Sequence, residues 1–168
     1  NKEMEGHYVD GRKNGIWTWW FDSGIKQSEG HYVDDEQDGL WSYFSKDGSV
    51  AEEITFSGGK RDGRSTVWLT PEEKQEEKFY KNGKLDGPST FWENGYRSTM
   101  TTYKSDSPEG PWVIWFSNSD QIKEQGFHQK GIREGLTTYY YEDGTMQREG
   151  FFKEGLPDGM WTYWNKEG

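Results

Sequence analysis

Apolar and polar residues alternate in short runs along the whole chain, punctuated by glycines, and no stretch carries apolar residues at helical spacing. The alternation is periodic. Cutting before each Gly-aromatic pair, or the residue in its place, gives segments that begin near Gly6, Gly30, Ile54, Lys78, Thr101, Gly126 and Gly150, spaced by 24, 24, 24, 23, 25 and 24 residues. One column is Gly in all seven copies: Gly15, Gly39, Gly63, Gly87, Gly110, Gly135 and Gly159. The residue before it is Asn14, Asp38, Asp62, Asp86, Glu109, Glu134 or Asp158. Such a column predicts a backbone position with φ above zero, and Asn-Gly and Asp-Gly are turn formers, so these turn glycines are expected to end a hairpin loop. A second turn signal falls at Asp22-Ser23-Gly24, Lys46-Asp47-Gly48, Asn94-Gly95 and Asp143-Gly144. Two turns per copy predict two strands per copy.

The first strand carries Tyr8, Tyr32, Phe56, Tyr80, Tyr103, His128 and Phe152 in one column. The second carries Trp20, Phe44, Trp68, Trp92, Trp115, Tyr140 and Trp164, each preceded by another large residue such as Trp19 or Tyr43. Neighbouring columns point to opposite faces of a strand, so both faces are expected to carry stacked side-chain ladders. The column Thr18, Ser42, Thr66, Thr90, Val113, Thr138 and Thr162 supplies a small residue beside the rings, leaving room for a ring from the adjacent hairpin. With links this short, hairpins pair most simply edge to edge. The predicted fold is all-β, an elongated array of about seven hairpins forming one twisted antiparallel meander sheet over residues 1–168, a ribbon roughly 65 Å long. Each hairpin leans on its neighbours, and no single compact core is expected. Thr70-Pro71-Glu72-Glu73 could cap a helix, but its phase in the repeat predicts a strand linker. Asn1 to Glu5 resembles a repeat tail and the last copy stops at Gly168 in its second turn, so the chain is expected to be a fragment of a longer array.

Composition explains how so polar a chain folds. Only 30% of residues are hydrophobic, but 17% are aromatic, including 10 Trp, so apolar burial is mostly aromatic. A formal charge of -10 repels phosphate backbones and anionic headgroups, which argues against nucleic acid and acidic membrane as partners and favours a basic protein. The absence of Cys removes disulfides, thiolate metal sites and a Cys nucleophile. No apolar stretch approaches 18 residues and no signal peptide is present, while the first residue is Asn rather than Met. The compartment stays open between cytoplasm and cell envelope after removal of a leader.

Little in the chain resembles catalytic machinery. His7 and His31 share a column in consecutive copies, but equivalent columns two strands apart are separated by about 9.6 Å, too far for one zinc. Glu52 and Glu53, or Glu76 and Glu77, sit in linkers as solvated charges. No phosphate loop, nucleophile elbow or His-Glu-x-x-His pattern occurs. Neither enzyme activity nor a metal or cofactor is expected. Trp17, Trp19, Trp20, Trp112 and Trp115 form the densest aromatic stretches and are the candidate binding aromatics, with internal ladder packing as the competing role.

The pattern Gly-x-Tyr-x-x-Gly-x-x-x-Gly-x-Trp-x-x-Trp-Phe-x-x-Gly, set by residues 6–24, resembles the bacterial variant of the MORN repeat over essentially the whole chain. Copies three to five depart from it, with Ile54, Lys78 and Thr101 in place of the opening Gly and Ser65 and Ser89 in Trp17's column. The resemblance implies a non-catalytic scaffold that binds protein segments or dimerises, with an antitoxin-like or immunity role. Trp41-Ser42-Tyr43-Phe44-Ser45-Lys46-Asp47-Gly48 also resembles the choline- and cell-wall-binding hairpins, which implies an alternative function as a surface glycan or choline binder built on aromatic cages. Open sheet edges add edge-to-edge or homodimer association as a further expectation.

Overall fold

In a computed structural model that describes residues 2–166, the chain forms fourteen strands and no helix. The strands are β1 (Met4–Val9), β2 (Arg12–Trp20), β3 (Lys26–Val33), β4 (Glu36–Phe44), β5 (Val50–Ser57), β6 (Lys60–Trp68), β7 (Lys74–Lys81), β8 (Lys84–Glu93), β9 (Tyr96–Lys104), β10 (Ser107–Trp115), β11 (Ile122–Gln129), β12 (Ile132–Tyr140), β13 (Met146–Lys153) and β14 (Leu156–Tyr163). They follow chain order in an open antiparallel meander, the fold class the repeat predicts. Asn1 and Gly168, assigned to a repeat tail and a second turn, lie outside the described residues. The chain divides into two compact units, Asn1–Lys84 and Leu85–Gly168. Thr70 and Pro71 lie in the loop before β7, as the strand-linker reading expects.

Within each hairpin the chain reverses through two consecutive residues with positive φ. In the first unit these are Asp10-Gly11, Asp34-Asp35, Gly58-Gly59 and Asn82-Gly83; in the second, Ser105-Asp106, Lys130-Gly131 and Glu154-Gly155. Such mirror-image turns match the right-handed twist of the flanking strands. The invariant glycine column does not end this loop. Gly15 sits inside β2 with φ 76°, four residues past the turn, and its counterparts likewise have positive φ inside their strands, Gly39 at 74° and Gly135 at 76°. The pairing explains the need. Glu5 opposes Thr18 while His7 opposes Asn14, so the single residue Gly6 faces the three residues Gly15-Ile16-Trp17. The second strand carries such a two-residue bulge in the hairpins β1–β2, β3–β4, β5–β6, β9–β10, β11–β12 and β13–β14, and glycine takes the left-handed angle there without a Cβ penalty.

The acidic residue beside that glycine also has a structural task. Carboxylates of Asp62, Glu109 and Glu134 accept the backbone N–H of Asn82, Lys130 and Glu154, the first turn residue of the next hairpin. Where the second turn residue is Asp rather than Gly, the bond runs in the other direction, with Asp35 and Asp106 accepting from the N–H of Lys13 and Leu85. Each turn after the first also donates a backbone N–H to the preceding hairpin, as in Asp35 to the Lys13 carbonyl and Gly155 to the Arg133 carbonyl. Part of the chain's acidity is thus a repeated turn clamp rather than free surface charge. Hairpins are joined by five-residue loops such as Phe21 to Ile25, except that Asn94-Gly95 makes a two-residue turn and residues 116–121 make a six-residue loop. Those two exceptions produce the spacings of 23 and 25.

The bulge lets an indole lie across the opposing glycine. A Cβ on Gly6 would overlap the Trp17 ring, one on Gly30 the Trp41 ring, and one on Gly150 the Trp161 ring. Trp17 and Trp41 each retain only 2% of their exposure, and their Nε1–H groups donate to the His7 and His31 carbonyls at 3.2 and 3.1 Å. The degenerate copies follow the same volume rule. Ile54 opposes Ser65, so a buried aliphatic side chain fills the space a ring would take. In the fifth copy Thr101 blocks the usual seat, and Trp112 instead lies against Gly126 of the next hairpin, whose own Trp position is the small Thr137. Gly30→Ala is expected to lower stability by about 1–3 kcal/mol through overpacking, and most of that loss should disappear in a Trp41→Ser background, measured by denaturant midpoints of the four variants of a double-mutant cycle.

Candidate binding surface

The bulge registers divide the side chains into two faces. One face holds the Tyr8, Trp17 and Trp19 columns, and it packs densely. In the first unit Tyr8 meets Trp17 edge-on at 4.9 Å, Tyr32 meets Trp41 edge-on at 5.0 Å, and Trp19 bridges to Trp41 at 5.7 Å. Lys13 threads its ammonium among these rings, 4.7 Å from Trp17, 5.4 Å from Trp19 and 5.0 Å from Tyr32. This is an aromatic cage of the kind that holds quaternary ammonium ligands, and the protein's own lysine occupies it. Burial raises the Tyr32 phenol pKa, with smaller contributions from Tyr43 and Asp35. In the second unit Arg133 plays the same part, with its guanidinium 4.4 Å from Trp112 and 5.7 Å from Phe152. His128 stacks on Trp112 at 5.7 Å in place of the usual Tyr or Phe.

The five candidate aromatics are accordingly engaged in packing. Trp17, Trp112 and Trp115 are buried, and Trp19 and Trp20 are half-buried. Trp20 lies on the opposite face with the Lys2 ammonium 4.9 Å above it, and Trp115 carries Arg97 at 4.8 Å. His7 and His31 are exposed, and among the described residues no cluster of three or more His, Cys, Asp or Glu could hold a metal. The cation partners lay hidden in the sequence because the Lys13 column also contains Gln37, Leu85 and Pro108, so it shows no charge pattern.

The opposite face also carries exposed apolar side chains at positions set by the bulge. The residue between the invariant Gly and the Trp column points there: Ile16 and Leu40 in the first unit, Pro111, Leu136 and Met160 in the second. Register places Phe127 directly beside Pro111 and Phe151 directly beside Leu136. Pro111, Phe127, Leu136, Phe151 and Met160 therefore form one row across β10 to β14, with Leu136 45%, Phe151 56% and Met160 84% exposed. The ladder does not need these side chains, since Arg64 and Pro88 occupy the same column elsewhere. Carboxylates border the row, with Glu134 paired to Phe127, Asp158 paired to Phe151, and Glu149 paired to Thr138 and Thr162 on its other side. Sequence reasoning passed over this row because no large ring marks it and single exposed aliphatics are common on any surface.

Two outcomes follow from the filled cages. Replacing Lys13 with Met is expected to destabilise the first unit by about 1 kcal/mol, and choline up to millimolar concentration should leave the native Trp fluorescence unchanged. Burial, and then the Arg133 charge, lowers the His128 pKa below 6.5, so the fold favours neutral imidazole. Its stabilisation is fully present above the ordinary pKa and is lost as pH falls through and below it. Between pH 7.5 and 5 the melting temperature of the native protein should fall further than that of His128→Phe.

Residues 13–34, 37–57 and 133–154 match the family model described as the MORN repeat variant. The matched windows run from the second strand of one hairpin, through the inter-hairpin loop, into the first strand of the next. No curated protein matches the chain. Two of these windows hold a buried indole, Trp17 and Trp41, each window holds a bulge glycine, Gly15, Gly39 or Gly135, and in these three segments the chain is similar to the MORN repeat variant.

Proposed function

We propose that this chain is a non-catalytic protein-binding scaffold whose contact surface is the exposed apolar row opposite the aromatic ladder. One observation carries the reading: large apolar side chains stand in register across consecutive strands at a column the fold leaves free to vary. MORN repeats in general suggest a repeat-based binding scaffold, which agrees with it. The occupant that fits is a basic, apolar segment of a partner protein, since carboxylates flank the row and the chain carries a formal charge of -10. An antitoxin or immunity protein whose acidic surface meets a basic toxin is the specific form of this function that the charge favours.

A peptide with alternating Leu and Lys is the probe for the surface, with the corresponding Leu-Glu peptide as control. The Leu-Lys peptide is expected to bind in a salt-dependent manner, and the double variant Leu136→Glu, Phe151→Glu should weaken it at least tenfold while leaving the melting temperature little changed. Equal binding by the variant, or equal binding of the Leu-Glu peptide, removes the reading. The immunity form fails separately if the protein neither co-purifies with nor protects cells from the product of a neighbouring gene.

A further inference from the structure

We infer that the second unit contains a binding site for an organic anion, a carboxylate or phosphate carried on a flat ring, in the cavity between the β11–β13 strands and the loops that flank them. The cavity has a volume of about 580 Å³, and its wall includes Phe116, Lys123, Tyr139, Tyr141, Arg148 and Lys166. Three cations on one cavity are unexpected in a chain of net charge -10.

The internal repeat shows that the fold does not require them. Arg148 occupies a column that is Met4, Ser28, Glu52, Glu76, Thr99 and Glu124 in the other copies. Lys123 stands where other copies have Glu3, Gln27, Ala51, Gln75, Ser98 and Gln147. Lys166 corresponds to Asp22, Thr70, Ser117 and Glu142, with Lys46 the one other cation of its column. These departures from the ladder pattern come from three different strands or loops and converge on the same space. The corresponding edge of the first unit has a smaller cavity, about 360 Å³, lined by Phe21, Asp22, Ser23 and Lys46.

Arg148 is poised rather than satisfied. Its guanidinium carbon lies 4.0 Å from the centroid of the Tyr139 ring, and its Nε is buried and makes no hydrogen bond among the described residues. Glu124, a carboxylate that also lines the cavity, pairs with Arg133 at 3.7 Å. Lys166 stands 5.5 Å over the Tyr141 ring, whose hydroxyl donates to the Trp164 carbonyl and is held in place by that bond. A planar guanidinium matches the two oxygens of a carboxylate or phosphate, and ammonium groups add point charges without directional demands. The Phe116, Tyr139 and Tyr141 rings in the same lining supply apolar contact for a planar body. Glu124 and Glu142 in the same lining limit the net positive charge, which favours a ligand with one anionic group over a polyanion.

The test is an NMR titration of the whole chain with benzoate, phenyl phosphate, the neutral benzamide and inorganic phosphate. Benzoate or phenyl phosphate should move the backbone signals of residues 139–142 and 147–148 saturably, and benzamide should not. Arg148→Gln should weaken the response at least tenfold. Because Arg148 also packs on Tyr139, the exposed pair Lys123→Gln and Lys166→Gln provides an independent variant, expected to weaken the response to a similar degree without lowering the melting temperature. No saturable shift with either aryl anion, an equal shift with benzamide, or an unchanged response in the lysine pair overturns the site. Inorganic phosphate acting as strongly as phenyl phosphate overturns the assignment to a ring-bearing ligand.

Discussion

An indole resting on the bare Cα of a glycine across a strand pair is the contact on which each complete repeat depends, because it fixes both the register and the face of everything around it. For the ring to reach the glycine, the second strand must gain two residues, and the strand gains them in a bulge opened by a glycine at positive φ. The bulge in turn exposes a carbonyl on the first strand, which the indole N–H bonds in Trp17 and Trp41. One volume relation thus links the opening glycine, the bulge glycine and the Trp of each complete copy. Its exceptions obey the same relation: Ile54 faces Ser65, and Trp112 takes Gly126 when Thr101 blocks its own seat.

The same geometry separates packing from recognition. Rings on the ladder side are held by one another and by Lys13, Arg61, Arg133 and Arg148, which lie over them as internal cations. Cation-π contacts of this kind give a thin sheet, with no second layer to cover it, a way to shield its rings from water. The bulge aims the residue between its Gly and Trp at the other face, where no neighbouring ring covers it. Apolar side chains at that point serve no ladder, and in the second unit they line up with Phe127 and Phe151 into a continuous row.

Much of the fold was legible because a repeat states its own alignment. The hairpin count, the two turns per copy and the aromatic columns all follow from periodicity and strand alternation. The place of the invariant glycine was not legible: Asn14-Gly15 and Asp38-Gly39 look like hairpin turns, yet the turns are Asp10-Gly11 and Asp34-Asp35, where Asp35 takes an angle that glycine usually fills. Propensity alone does not distinguish a turn from a bulge, since both need positive φ. The binding surface was harder still. Trp17 and Trp112 stand out as large rings, but their size is what the glycine seats require, whereas Leu136, Phe151 and Met160 become conspicuous only once register places them across neighbouring strands. The cation-lined cavity likewise depends on three residues from separate strands and loops, each unremarkable in its own segment.

The central claim, that the ladder face is internal packing and the opposite row is the accessible surface, is tested most directly by solvent paramagnetic relaxation. With a neutral, soluble paramagnetic probe, the side-chain signals of Leu136, Phe151 and Met160 should broaden strongly, while the indole signals of Trp17, Trp41 and Trp112 should remain sharp. Indoles broadened as strongly as the row would contradict the account.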